Sequence, residues 1–276
     1  MYKRFSKDYQ VLATDICEKR EFWCSYQDVR NYHQLHYEIG EFNPHVIINL
    51  AAMVDMEQCE INGQSTLETN TGGSANLATI ASRRDATYIY ISTAGIFGGG
   101  KEAYTDSDEP TPLSIYAKAK YYGELIATTV PKHIVIRPGW MMGGGPKKDK
   151  KFINKIYQQI QEGATEINAV SDKGGTPTYT HDLARNIQVL LEGEYTGVYN
   201  CTCKGATNRY EVAKEFVRLI GREDVKVNPV ESKFFKDYWA PRPTSEKLIC
   251  QRLEDEGIYT MRTWQECLAE YAEEYK

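Results

Sequence analysis

The sequence predicts an α/β chain: a doubly wound parallel sheet that lacks its first strand, followed by a smaller C-terminal domain. Three observations predict it. Apolar runs of strand length alternate with amphipathic stretches of helix length through the first half of the chain, as in a parallel sheet with crossover helices. At least one run is continuously apolar, "HVIINLAA" at 45–52, which suits a strand buried on both faces. The third observation is an omission. "YQVLATD" at 9–15 reads as a strand ending in an acid. In doubly wound sheets such a strand follows a first strand, a glycine-rich turn and a helix, roughly 20 residues in all. Met1 to Lys7 can supply only the tail of that helix.

After 9–15 come a helix at 29–42, the strand at 45–52 and a long helix at 63–84 whose glycine pairs allow close packing. A strand at 87–97, a helix at 115–130 and a strand at 133–140, stopped by Pro138, complete three strand-to-helix units. The pattern then loosens into a glycine- and lysine-rich loop, a helix at 152–162, and a turn leading into a helix at 174–193. A strand at 197–202, a helix near 208–220 and a mixed tail ending in "TWQECLAEYAEEY" follow. The domain change falls near 140: residues 1–140 with a return at 177–196 form the first domain, and 141–176 with 197–276 the second.

At 276 residues the chain can bury a substantial core. Its formal net charge of −5 argues against nucleic acid as the main partner. No run of about 18 apolar residues and no charged-then-apolar leader is visible, so no membrane association and a cytoplasmic location are expected. The seven cysteines (17, 24, 59, 201, 203, 250, 267) are odd in number and lack zinc spacing; they read as reduced structural thiols, with no metal expected. "PKKDKK" at 146–151 reads as a solvated loop that could also steer a polyanion.

Two local signals carry chemistry. In "YAKAK", Tyr116 and Lys120 sit four residues apart and project from one face of a helix. Spacing alone proves nothing, because "YEVAK" at 210–214 repeats it. Context separates the two, since Tyr116 opens a helix soon after a strand ending in "STAGIF". Thr93 stands at the C-terminal end of that strand, where open α/β sheets place their ligands. Together these residues suit hydride transfer to or from a carbonyl. A phenol of pKa near 10 needs a neighbouring ammonium such as Lys120 to act near neutral pH, and Thr93 can donate a hydrogen bond to the same substrate oxygen. None of these groups stores a hydride, so a nicotinamide must supply it.

Over nearly its whole length the sequence resembles the extended short-chain dehydrogenases/reductases, and within them the dTDP-4-dehydrorhamnose reductase family. "DVRNYHQL", "HVIINLAAMVDMEQCE", "ETNTGGSANLA", "YISTAGIF", "YAKAK", "RPGW", "DKGGTPTYTHDLA" and "APRPTSEKL" carry the resemblance. It implies a Rossmann-like fold and an NADPH- or NADH-dependent reduction of a 4-keto sugar linked to a nucleoside diphosphate. By that analogy Tyr116 donates the proton, Lys120 binds the nicotinamide ribose, and Thr93 holds the keto oxygen. Asp28 and Val29 lie by the adenine, Ala51 and Ala52 along the cofactor, Asn70 supports the site, and Trp140 and Arg242 stand near the nucleotide sugar. Asp15, by its charge, leans toward NADH. A homodimer is left open.

Two departures qualify the resemblance. Where rhamnose-type reductases read Ser-Thr-Asp-Tyr-Val-Phe, this chain has Ala94 and Gly95 in place of the Asp and Tyr, which opens the pocket. The second is the missing first strand, whose loss leaves roughly a 10 Å gap in a sheet with 4.8 Å strand spacing. Either "YQVLATD" and "HVIINLAA" close up and pair, or the gap stays with unpaired backbone on both sides. The expectation is that residue 1 is not the natural start. Glycine triplets at 98–100 and 143–145 read as flexible loops near the site, not phosphate-gripping turns. The same scaffold also serves sugar-nucleotide epimerases and dehydratases, and non-catalytic regulatory or adaptor subunits; Thr93, Tyr116 and Lys120 weigh against the last.

Overall fold

The computed structural model describes residues 1–17, 21 and 23–276. α1 (Tyr2–Phe5) precedes two three-residue parallel strands, β1 (Ala13–Asp15) and β2 (Cys24–Tyr26). α2 (Tyr32–Phe42) is capped by the Asn31 side chain and ends at Asn43 in the left-handed region, φ 50°. It leads into β3 (Val46–Asn49). α3 (Met56–Ile61), α4 (Gly63–Leu67), a π-turn at Glu68–Gly72 and α5 (Gly73–Arg83) lead to β4 (Thr87–Ile91), and α6 (Ile115–Ala127) to β5 (His133–Arg137). There follow β6 (Trp140–Met142), α7 (Gly145–Lys148), α8 (Phe152–Gln161), β7 (Glu166–Val170), β8 (Gly174–Gly175), β9 (Pro177–Tyr179), α9 (Thr180–Glu192) and β10 (Gly197–Asn200). β11 (Thr207–Asn208), α10 (Arg209–Leu219), β12 (Lys226–Val230), β13 (Ser245–Glu246), α11 (Gln251–Asp255) and α12 (Trp264–Ala272) complete the chain.

The central sheet is parallel, in the order β10-β5-β4-β3. Alternation along its strands fills a core on each face. Tyr88, Tyr90 and Val135 pack with Leu77, Ile80, Ala81 and Ala127 on one side. Ile89, Ile91, Ile134, Ile136 and Tyr199 pack with Leu183, Ile187 and Leu190 on the other. Sandwiching between α5 and α6 on one face and α9 on the other explains why these strands read as nearly continuous apolar runs. The smaller sheets β6-β9, β12-β7 and β11-β8-β13 build the remaining part of the molecule. Cys59, Cys201, Cys203, Cys250 and Cys267 are buried thiols.

Three differences from the sequence reading have physical reasons. The 9–15 strand shrinks to three residues: among the described residues, β1 pairs only with β2 and β3 only with β4. Of the two arrangements open to the sequence, the structure has the unpaired one, and a strand with one short neighbour has few ladder bonds to extend it. The 63–84 helix is interrupted by the π-turn, which holds Asn70 in a widened backbone. Gly197–Asn200, assigned from the sequence to the second domain, pairs in parallel with β5 in the central sheet. The glycine triplets are also better anchored than expected. Gly145 opens α7 and its carbonyl accepts from the Asp149 amide at 2.9 Å, and the Gly99 carbonyl accepts from Thr244 Oγ1 at 2.9 Å.

Candidate active site

Four strand ends converge where open parallel sheets bind ligands. β4 stops at Ile91 and delivers Thr93, whose Oγ1 accepts from the Gly95 amide at 3.1 Å and caps a short 3₁₀ turn, Ala94–Ile96. α6 begins beside it, capped by Ser114, whose side chain accepts from the Ala117 amide at 3.1 Å. That cap puts Tyr116 in the first turn and Lys120 one turn later, facing the strand ends.

α6 is held there by close packing and a buried ion pair. A Cβ on Gly123 would lie 2.3 Å from Tyr90 Oη, so only glycine lets the helix approach β4. Tyr90 Oη donates to the Lys120 carbonyl at 3.1 Å. Arg137 of β5 meets Glu124 of α6 through Nη2 at 2.5 Å and Nε at 3.2 Å, with both side chains almost fully buried. Breaking one half of such a pair strands a buried charge. Glu124→Gln is therefore expected to lower the unfolding free energy by about 3 kcal/mol, read as a shifted urea midpoint with unchanged slope.

Lys120 is buried, donates from Nζ to the Ile91 carbonyl at 2.5 Å and lies 4.2 Å over the Tyr90 ring. Burial lowers its pKa from 10.5 to about 7, opposed only in part by Glu124. Tyr116 is pushed up to about 12, chiefly by desolvation; the Thr93 hydroxyl acts downward, and Glu246 and Cys59 upward. The sequence argument assigns Lys120 to lowering the phenol's pKa. Here its ammonium turns to the Ile91 carbonyl instead, and Thr93 is the group that favours the phenolate.

The other predicted residues separate into those at the strand ends and those engaged elsewhere. Asn70, buried, clamps the loop after β3: it accepts from the Met53 amide at 2.8 Å and donates to the Met53 carbonyl at 3.0 Å. Ala51 and Ala52 lie in that loop, where the Ala51 amide donates to Asn49 Oδ1 at 3.1 Å. Asp15 ends β1 and accepts from the Cys17 amide at 2.8 Å. Asp28 follows β2 in a bidentate pair with Arg30, which holds its carboxyl below the usual range. Val29 packs so closely on α5 that a Cβ on Gly73 would come within 2.6 Å of its methyl. Trp140 opens β6 and donates from Nε1 to Glu246 Oε2 at 2.7 Å. Arg242 is bound in a bidentate pair to Glu57 of α3, at 2.7 and 2.9 Å, so its guanidinium ties the "APRP" segment to the first half of the chain. Tyr210 and Lys214, the second Tyr-x-x-x-Lys, sit on α10 and line a groove with Trp264 of α12, away from the strand ends.

The residues present fit the nicotinamide and ribose half of a dinucleotide. Ser92 Oγ, at the same strand end, is buried with no hydrogen-bond partner, and Lys120 Nζ reaches a single carbonyl oxygen; both suit a polar ligand. They do not supply the pyrophosphate half. Among the described residues, no strand of the central sheet runs through a glycine-rich turn directly into a helix. Nor do three or more His, Cys, Asp or Glu gather to hold a metal.

A parallel α/β sheet with Tyr116 and Lys120 on the helix beside Thr93 defines a short-chain dehydrogenase/reductase fold. The chain belongs to the RmlD substrate binding domain family, which matches residues 2–276. It is 30% identical over 249 residues to the spore coat polysaccharide biosynthesis protein SpsK of Bacillus subtilis, covering 90% of this chain and 85% of that one. Its structure superposes on a dTDP-4-dehydrorhamnose reductase from Clostridium acetobutylicum with a TM-score of 0.84 and 32% identity, covering 94% and 92% of the two chains. The dTDP-4-dehydrorhamnose reductase of Bacillus anthracis, solved in complex with NADP, gives a TM-score of 0.86 at 26% identity over 98% and 93%.

Sequence reasoning missed Glu246, Ser92, Glu57 and the Glu124–Arg137 pair. Glu124 alone had a local signal, one turn beyond Lys120 on the same helix.

Proposed function

We propose that this protein is an NADPH- or NADH-dependent reductase of a 4-keto sugar linked to a nucleoside diphosphate, acting in the cytoplasm. The observation that carries the reading is the meeting of Thr93, Tyr116 and a buried Lys120 at the C-terminal end of β4. The reductases it resembles bear names of the same reaction class. On this reading residues 1–140 and 177–200 hold the cofactor, and the remainder the sugar nucleotide. Ser92, Asn70, Tyr116 and Lys120 border the nicotinamide and ribose, with Ala51 and Ala52 alongside and Asp15, Asp28 and Val29 toward the adenine. The bound nicotinamide supplies the hydride.

The protein's own part is to hold the carbonyl and deliver a proton. Thr93 Oγ1 donates to the keto oxygen, and Tyr116 Oη gives up its proton as that oxygen gains charge. A phenol with a pKa of about 12 remains protonated at neutral pH. An alkoxide is about as basic as hydroxide, so the transfer is downhill by about 5 kcal/mol. A raised pKa therefore suits a proton donor in the reducing direction. The reading is tested by following the absorbance of NADPH and of NADH with dTDP-4-dehydrorhamnose as substrate. Oxidation that requires the sugar nucleotide is the expected result, and none with either cofactor overturns it.

A further inference from the structure

Glu246 reaches the site from β13, about 150 residues beyond Thr93 and Gly95 in the chain. Its backbone is in register with Gly175 of β8, and Gly175 is the floor on which Trp140 packs: a Cβ there would stand 2.4 Å from the indole ring. The Arg209 guanidinium lies 4.5 Å from the centroid of the same ring. So held, the indole donates from Nε1 to Glu246 Oε2 at 2.7 Å and leaves the other carboxylate oxygen aimed at β4. Oε1 lies 3.3 Å from the point where a Cβ on Gly95 would sit, and Thr93 Oγ1 lies 3.4 Å from that point. Among the described residues, Oε1 accepts no hydrogen bond. The phenol of Tyr116 feels the same charge.

We infer that Glu246 is a sugar-contacting, specificity-determining acid: its Oε1, in the space that Gly95 leaves empty, accepts hydrogen bonds from ring hydroxyls beside the keto carbon. The inference rests on the reductase reading above and deepens it. A carboxylate only accepts, so it selects a sugar that presents a hydroxyl at this point. A sugar lacking that hydroxyl leaves Oε1 without a hydrogen-bond donor in a half-enclosed site, which is the stronger form of discrimination. Gly95 is part of the device, because a side chain at that position would crowd Glu246 Oε1.

The test compares binding of dTDP-rhamnose with binding of dTDP by calorimetry, so that no turnover is needed. In the wild type the sugar is expected to tighten binding. In Glu246→Gln that gain falls at least tenfold, while dTDP binds as before and reports an intact fold. In Glu246→Ala combined with Gly95→Asp, a carboxylate returns to the same space from the opposite wall, and part of the gain returns. A wild type in which the sugar adds nothing, or a Glu246→Gln variant that keeps the gain, overturns the inference while dTDP binding leaves the reductase reading standing. A wild type that binds neither ligand overturns both.

Discussion

Replacing Tyr116 by Phe is expected to lower turnover by about a thousandfold or more while leaving the affinity for the nucleotide sugar within about twofold. The change removes one oxygen from a half-buried ring and keeps the rest of the site: Thr93 stays capped on the Gly95 amide, and Lys120 stays on the Ile91 carbonyl. What disappears is the proton that the developing alkoxide receives. An interaction made only as charge develops on the oxygen is lost from kcat and spares KM. Equal kcat values for the two proteins would remove Tyr116 from the chemistry.

Replacing Lys120 by Met has the second large effect, and it works in opposite directions on activity and stability. Burial lowers the folded-state pKa of Lys120 from 10.5 to about 7. Between those values the unfolded chain holds a proton that the folded chain has released. Stability therefore rises with pH across that window, by about 1.4 kcal/mol per pH unit from this group, and the destabilisation is fully present below about pH 7. Met fills the same space without a charge. Lys120→Met should be more stable than the wild type near pH 7 by a few kcal/mol, converge on it toward pH 10, and be inactive. Urea melts at several pH values check this, and parallel curves for the two proteins would contradict it.

The elements that could be read from the sequence are those whose signals are local. The helix at 115–127 announces itself by the Ser114 cap and its apolar stripe, and β5 by an apolar run stopped at Pro138. Tyr116 and Lys120 follow from where that helix starts, and Thr93 from the end of the 87–97 run together with the rule that ligands sit at strand ends. What could not be read depends on distant partners. β1 is shorter than its apolar run: among the described residues it pairs only with the three-residue β2, a property of the sheet rather than of residues 9–15. The break in the 63–84 helix has no local signal beyond its glycines; it falls where Asn70 clamps Met53 of the loop after β3. Arg242 gives no local sign of its ion-pair partner Glu57, 185 residues away. Glu246 is the clearest case: the only sequence hint is the space left by Ala94 and Gly95, and nothing in the chain says what fills it.

The proposed reaction is delivery of hydride from a reduced nicotinamide to a sugar carbonyl held by Thr93 and Tyr116. Its most direct test uses NADPH or NADH carrying deuterium at the transferring position of the nicotinamide, with dTDP-4-dehydrorhamnose as acceptor and mass spectrometry of the product. The expected product is a reduced nucleotide sugar carrying one deuterium, on the former carbonyl carbon. Conversion of the sugar nucleotide with no deuterium gained, as an isomerising or dehydrating relative with its own tightly held cofactor would give, would contradict it.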